Sequence, residues 1–137
     1  MMYSQAFFKI AALKIEQKYT NLDNSELLIL FDFTDAHNLD AEELENLIVD
    51  FIEANLIDLN DVLGDALFAL GKSYKSDYRD LYLRVMQVSI ERNLYICYQA
   101  GISIENLGEQ VFFSIGPSED KVLTLKRAKD FLINNVL

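Results

Sequence analysis

The chain has 137 residues, 12 Lys+Arg against 22 Asp+Glu, a net charge of −10 and 51% hydrophobic residues. That length suits one domain over residues 1–137, and the apolar content is too high for a disordered acidic tail. The single Cys excludes a disulfide framework and multi-cysteine metal sites, and the single His leaves little room for imidazole chemistry.

Helical periodicity runs through most of the sequence. A first helix, about Ser4 to Tyr19, places Tyr3, Phe7, Ile10, Ala11 and Ile15 on one broad side and Gln5, Lys9 and Glu16 on a narrow polar one. A turn at Asn21–Ser25 precedes a short second helix, about Ser25 to Phe33, and Thr34–Asn38 reads as a loop. The third helix carries the clearest signals. Asp40 and Glu43 form a capping box, and Leu44, Leu47, Ile48 and Phe51 follow at helical spacing. After a break at Asn55–Ile57, a fourth helix begins near Asp58 or Asn60 and ends at Gly71, read as a C′ glycine. Its inner side is Leu59, Val62, Leu63, Ala66, Leu67 and Leu70, with Asp58, Asp61 and Asp65 turned away.

A fifth helix is predicted from Ser76 as far as Gly101. Its polar stripe is only Asp80, Arg84, Gln87 and Glu91, so it is expected to be the central helix. Arg92 fits this helix poorly, unless the helix ends near Asn93 or the guanidinium meets a buried acid. Between residues 95 and 115 two readings stand: a short helix capped by Ser103, or a small hairpin of Tyr95–Tyr98 and Gln110–Ile115. Pro117-Ser118 opens a last helix, about Ser118 to Val136, with Val122, Leu125, Ala128 and Leu132 inward. The expected fold is a compact all-α bundle of six to seven helices.

No basic region precedes the apolar residues of Met1–Lys9, so a secretory signal is not expected. No run approaches the ~20 apolar residues that span a bilayer, and Leu27–Phe31 is only core-sized. A soluble cytoplasmic protein without a membrane partner is the expectation.

Charge is unevenly distributed. Residues 1–70 hold three lysines against 14 acids, net −11, whereas residues 71–137 hold nine bases against eight acids, net +1. No base lies between Lys18 and Lys72, where 13 acids occur. Many of these acids sit at helix N-termini, where they suit the dipole and the caps. Asp32, Asp35, Glu45, Asp50, Glu53 and Asp65 have no such local reason. A negative surface on the third and fourth helices would steer a basic protein partner and repel nucleic acid. Its working residues would be Glu42, Glu45, Asp50, Glu53, Asp61 and Asp65, with Phe68 as an apolar anchor.

Catalytic signals are absent from the pattern. Cys97 lies between Ile96 and Tyr98 and reads as a buried hydrophobe, and His37 as a surface loop residue. Asp58–Gly64 fails as a calcium loop, because Leu63 holds the place of the sixth-position glycine and no glutamate closes it. The five glycines form neither phosphate-binding nor dinucleotide-binding motifs. No catalytic residue, metal site or cofactor is therefore expected. Tyr74, Tyr78 and Tyr82 recur at i, i+4, i+8 and offer an alternative role, a homo-oligomeric scaffold or regulatory adaptor.

The acidic segment Asp40-Ala41-Glu42-Glu43-Leu44-Glu45 through Asp65, in a short helical chain poor in Cys, resembles in type the small acidic bacterial immunity proteins. The resemblance implies direct, non-enzymatic neutralisation of a toxin partner, in that class often a nuclease domain.

Overall fold

A computed structural model describes residues 2–116 and 119–136. Among them lie seven α-helices and no strand: α1 (Gln5–Tyr19), α2 (Ser25–Leu28), α3 (Ala41–Ala54), α4 (Val62–Gly71), α5 (Arg79–Ser89), α6 (Leu94–Glu105) and α7 (Lys121–Asn135). The expected all-α class is the one found. Short 3-10 turns at Asp35–Asn38 and Ser76–Tyr78 lead into α3 and α5.

The helix starts follow their caps. Ser4 accepts the Phe7 N–H at 3.1 Å, and Asp40 and Glu43 exchange bonds of 2.8 and 3.1 Å. Asp120 opens α7 by accepting the Leu123 N–H at 2.9 Å; the Pro117-Ser118 start predicted for that helix lies outside the described residues.

The most enclosed helix is α4, which packs against α1, α3 and α6 and buries Leu63, Ala66, Leu67, Ala69 and Leu70. Gly71 is its last helical residue and not a left-handed cap. Its role is close approach, because a Cβ there would stand 2.9 Å from Ser103 Oγ. The predicted fifth helix is two helices, hinged at Ile90–Asn93. Asn93 caps α6 through the Ile96 N–H (3.2 Å) and donates to the Leu59 carbonyl (3.2 Å) and to Asp61 (3.3 Å). Arg92 also turns outward to the Ile57 carbonyl, at 2.7 Å. The break is therefore set by the α3–α4 loop, and Arg92 needs no buried acid.

The hairpin alternative is not what forms. Tyr95 and Tyr98 are helical, and the Val111 and Phe112 N–H groups both donate to Glu105 Oε2 at 3.0 Å, taking the place of a strand partner. Ser103 lies inside α6, its hydroxyl 3.1 Å from the Leu67 and Gln99 carbonyls. Phe112 is completely buried against Tyr98 and Gly101. In α7 the inner positions are Thr124, Ala128 and Leu132. Val122, predicted inward, is 82% exposed because the helix is seated by these three.

A Cβ on Gly101 would lie 2.3 Å from the Phe112 ring, which has no free space to retreat into. Gly101→Ala is expected to lose about 1–3 kcal/mol of stability. Urea unfolding would show a lower midpoint at an unchanged slope.

Candidate partner-binding surface

The acids singled out by sequence do not share one environment. Glu45, expected on the surface, is 1% exposed. Its Oε1 meets Lys75 Nζ at 2.8 Å and accepts the Tyr78 hydroxyl at 2.8 Å, and its Oε2 accepts the Tyr19 hydroxyl at 2.6 Å. Burial pushes this carboxyl up, but the bonds from Lys75, Tyr19 and Tyr78 outweigh it and hold it below the ordinary glutamate value. The Lys75 ammonium, over the Tyr19 ring at 4.6 Å, is pushed up by the same carboxylate. Tyr78 is raised to about 12, first by burial and then by its bond to Glu45. Glu45 is therefore an internal clamp joining α1, α3 and the turn before α5, not a partner contact.

Glu53 is also partly spent, since Arg84 of α5 reaches it at 3.4 Å. Both compensating bases come from the C-terminal half, so α3 and α4 do not present one undivided anionic patch. Glu42 and Asp50 remain exposed on α3, with no Lys or Arg at ion-pair distance among the described residues.

Asp61 and Asp65, one turn apart at the start of α4, are the acids that the fold brings together. Asp65 is held above the ordinary aspartate value by partial burial and by Asp61, with Lys9 of α1 drawing it back. Tyr95 stands beside them. Its ring lies over Gly64, where a Cβ would come within 2.4 Å of it, and its hydroxyl is raised by burial and by the two aspartates. Tyr95 was not singled out by sequence, because its neighbours lie 30 residues away on another helix. Phe68, one turn beyond Asp65, is 48% exposed, with the Lys72 ammonium 4.8 Å from its ring centroid. With Lys9, Leu13, Phe31 and the ion pair of Lys72 and Glu16 (3.2 Å) it lines a groove of about 230 Å³.

The segment after α2 is a second surface that the sequence did not announce. The predicted helix to Phe33 stops at Leu28, and Ile29, Leu30 and Phe33 are 82, 76 and 69% exposed. The core-sized run Leu27–Phe31 is thus largely outside the core. The chain on either side of it is fixed. His37 bonds Nε2 to the Leu28 carbonyl (3.1 Å) and accepts the Thr34 N–H on Nδ1 (2.9 Å), a pattern met by the tautomer protonated on Nε2. Lys14 sends its ammonium to the carbonyls of Ala36, His37 and Leu39.

The tyrosine stripe does not exist as a surface. Tyr82 is 1% exposed, Tyr78 is turned to Glu45, and only Tyr74, in the turn before α5, stands out at 43%. Cys97 is fully buried, its thiol pushed up to about 12 by burial, as its apolar sequence context suggested.

Comparison with protein-family models, with curated proteins and with solved structures gives no match.

Breaking the clamp is expected to be costly. Glu45→Ala strands Lys75 and two tyrosine hydroxyls and should lose about 3 kcal/mol, the lower end for a buried pair with one partner removed. The pH dependence has a fixed sign. A depressed folded carboxyl contributes stability that is complete above the ordinary glutamate value and is lost as the pH falls through the folded value. Denaturant titrations should therefore show Glu45→Gln less stable than wild type at neutral pH, the gap closing in acid.

Proposed function

We propose that the protein is a non-enzymatic binding protein that neutralises a basic protein partner, in the manner of an immunity protein. The supporting observation is the uncompensated pair Asp61 and Asp65, flanked by the half-exposed rings of Tyr95 and Phe68. Two carboxylates one helical turn apart suit an arginine or lysine head, and the Tyr95 ring attracts the same cations, while Phe68, with the Lys72 ammonium on its ring, offers apolar contact. The incoming charge relieves the Asp61–Asp65 repulsion on binding. Exposed Glu42 and Asp50 on α3 add to the field that steers such a partner. A partner that uses its basic groove for nucleic acid is blocked when that groove is covered. Relative to the sequence reading, the contact moves from both helices to the start of α4, because Glu45 and Glu53 already hold bases of the chain itself.

The test is calorimetric titration against the protein encoded by the adjacent reading frame. Reversing Asp61 and Asp65 to Lys is expected to weaken binding about 100-fold, at the low end of losing a close interfacial charge pair. Wild-type affinity should fall steadily with added salt. Equal affinity of the reversed variant contradicts the site, and no binding at all contradicts the reading. Gly64→Ala should also weaken binding, because the added methyl would stand 2.4 Å from the Tyr95 ring and displace it.

A further inference from the structure

We propose that the basic partner met at Asp61 and Asp65 also seats one large apolar side chain in the groove between Phe68 and Phe31. The inference rests on the function proposed above and adds what that partner must carry, an aliphatic or aromatic group beside its arginine or lysine.

Contact area is the first reason. A stable protein interface covers about 800 Å² of each partner, roughly 20–30 residues a side. Asp61, Asp65, Tyr95 and Phe68 fall far short of that, and charge pairs steer and select more than they add affinity. The energy of such contacts is concentrated in anchors that fill pockets. This groove is apolar and continuous with the acid pair. Phe68, which lines it, stands three residues beyond Asp65 on α4, about 4.5 Å of helix rise. Lys9 joins the two, since its charge acts on Asp65 and its ammonium lies 5.9 Å from the Phe31 ring centroid. Phe31 and Phe68 are 41 and 48% exposed, and with Leu13 they line about 230 Å³, room for a leucine or phenylalanine side chain.

The charges at the groove decide what enters it. Among the described residues that line it there is one acid, Glu16, and Lys72 already holds it at 3.2 Å while lying on the Phe68 ring. No carboxylate is left there for a second cation. The partner's cation therefore goes to Asp61 and Asp65, and the neighbouring groove takes an uncharged side chain.

Calorimetric titration against the protein encoded by the adjacent reading frame, at low and high sodium chloride, separates the two contacts. Phe31→Ala is expected to weaken binding about 30-fold, as for an interface hot spot, with circular dichroism and melting temperature unchanged. The factor should be the same at both salt concentrations, because an apolar contact is not screened. Leu13→Ala, on α1, should weaken binding in the same salt-independent way. Reversal of Asp61 and Asp65 should instead cost most at low salt. Tyr74→Ala, exposed outside both contacts, should bind like wild type. If the reversal weakens binding but Phe31→Ala and Leu13→Ala bind like wild type, the groove contact is overturned and the acid site stands. A wild type that does not bind contradicts the proposed function, and the groove contact falls with it. A free protein that sediments as a dimer, and as a monomer on Phe31→Ala, gives the groove to a second copy and also overturns the proposal.

Discussion

The buried carboxylate of Glu45 is the constraint around which the charge of this molecule is arranged. An ionised glutamate inside a protein is costly unless its oxygens are paired and hydrogen-bonded. Here Lys75, Tyr78 and Tyr19 supply one ammonium and two hydroxyls, drawn from the turn before α5 and from the end of α1. Those bonds fix the start of the C-terminal half against the helices of the N-terminal half. They also consume one of the few bases available to a stretch that has none of its own between Lys18 and Lys72. Arg84 at Glu53 and Lys72 at Glu16 draw on the same supply. The acids left over, Asp61 and Asp65 foremost, are those to which the fold brings no Lys or Arg at ion-pair distance among the described residues. The uneven charge of the sequence is thus converted into a division between internal clamps and an external residue of negative charge.

The parts of the fold that were legible in the sequence are those set by neighbours a few positions away. The Asp40–Glu43 box and the exposed stripe Asp80, Arg84, Gln87 of α5 depend on helical spacing alone and are found as read, whereas Glu91, read as the end of that stripe, lies in the break after α5. What was not legible depends on distant partners. Helical pattern continues through residues 90–93, but Asn93 and Arg92 find the α3–α4 loop, and the helix breaks there. Gln110–Ile115 has the composition of a strand, but Glu105 captures two of its N–H groups first. Glu45 sits on α3 beside the buried Leu44 and Ile48, and it is the placement of Lys75 and two tyrosines that pairs a carboxylate there.

The candidate site shows the same division. Asp61, Asp65 and Phe68 were readable as a line on one helix, since residues three and four apart share a face. Tyr95 was not, because Gly64, which admits its ring, carries no side-chain signal of its own. Nor was the outward turn of Ile29–Phe33. Composition marks such a run as core, and it leaves the core because α2 stops after four residues and the Thr34–Leu39 backbone is held by His37 and Lys14. An acid pair with fixed aromatic neighbours and an apolar segment with mixed charges beside it are different recognition chemistries.

The central claim is that the acids divide into compensated and uncompensated ones, with Glu45 and Asp65 at the two extremes. Titrating the side-chain carboxyl carbons by NMR measures both in one sample. Glu45 is expected to titrate below the ordinary glutamate value and Asp65 above the ordinary aspartate value, the latter moving down when Asp61 is replaced by Asn. If both titrate at their ordinary values, or if Asp65 ignores the loss of Asp61, the division of charge described here is wrong.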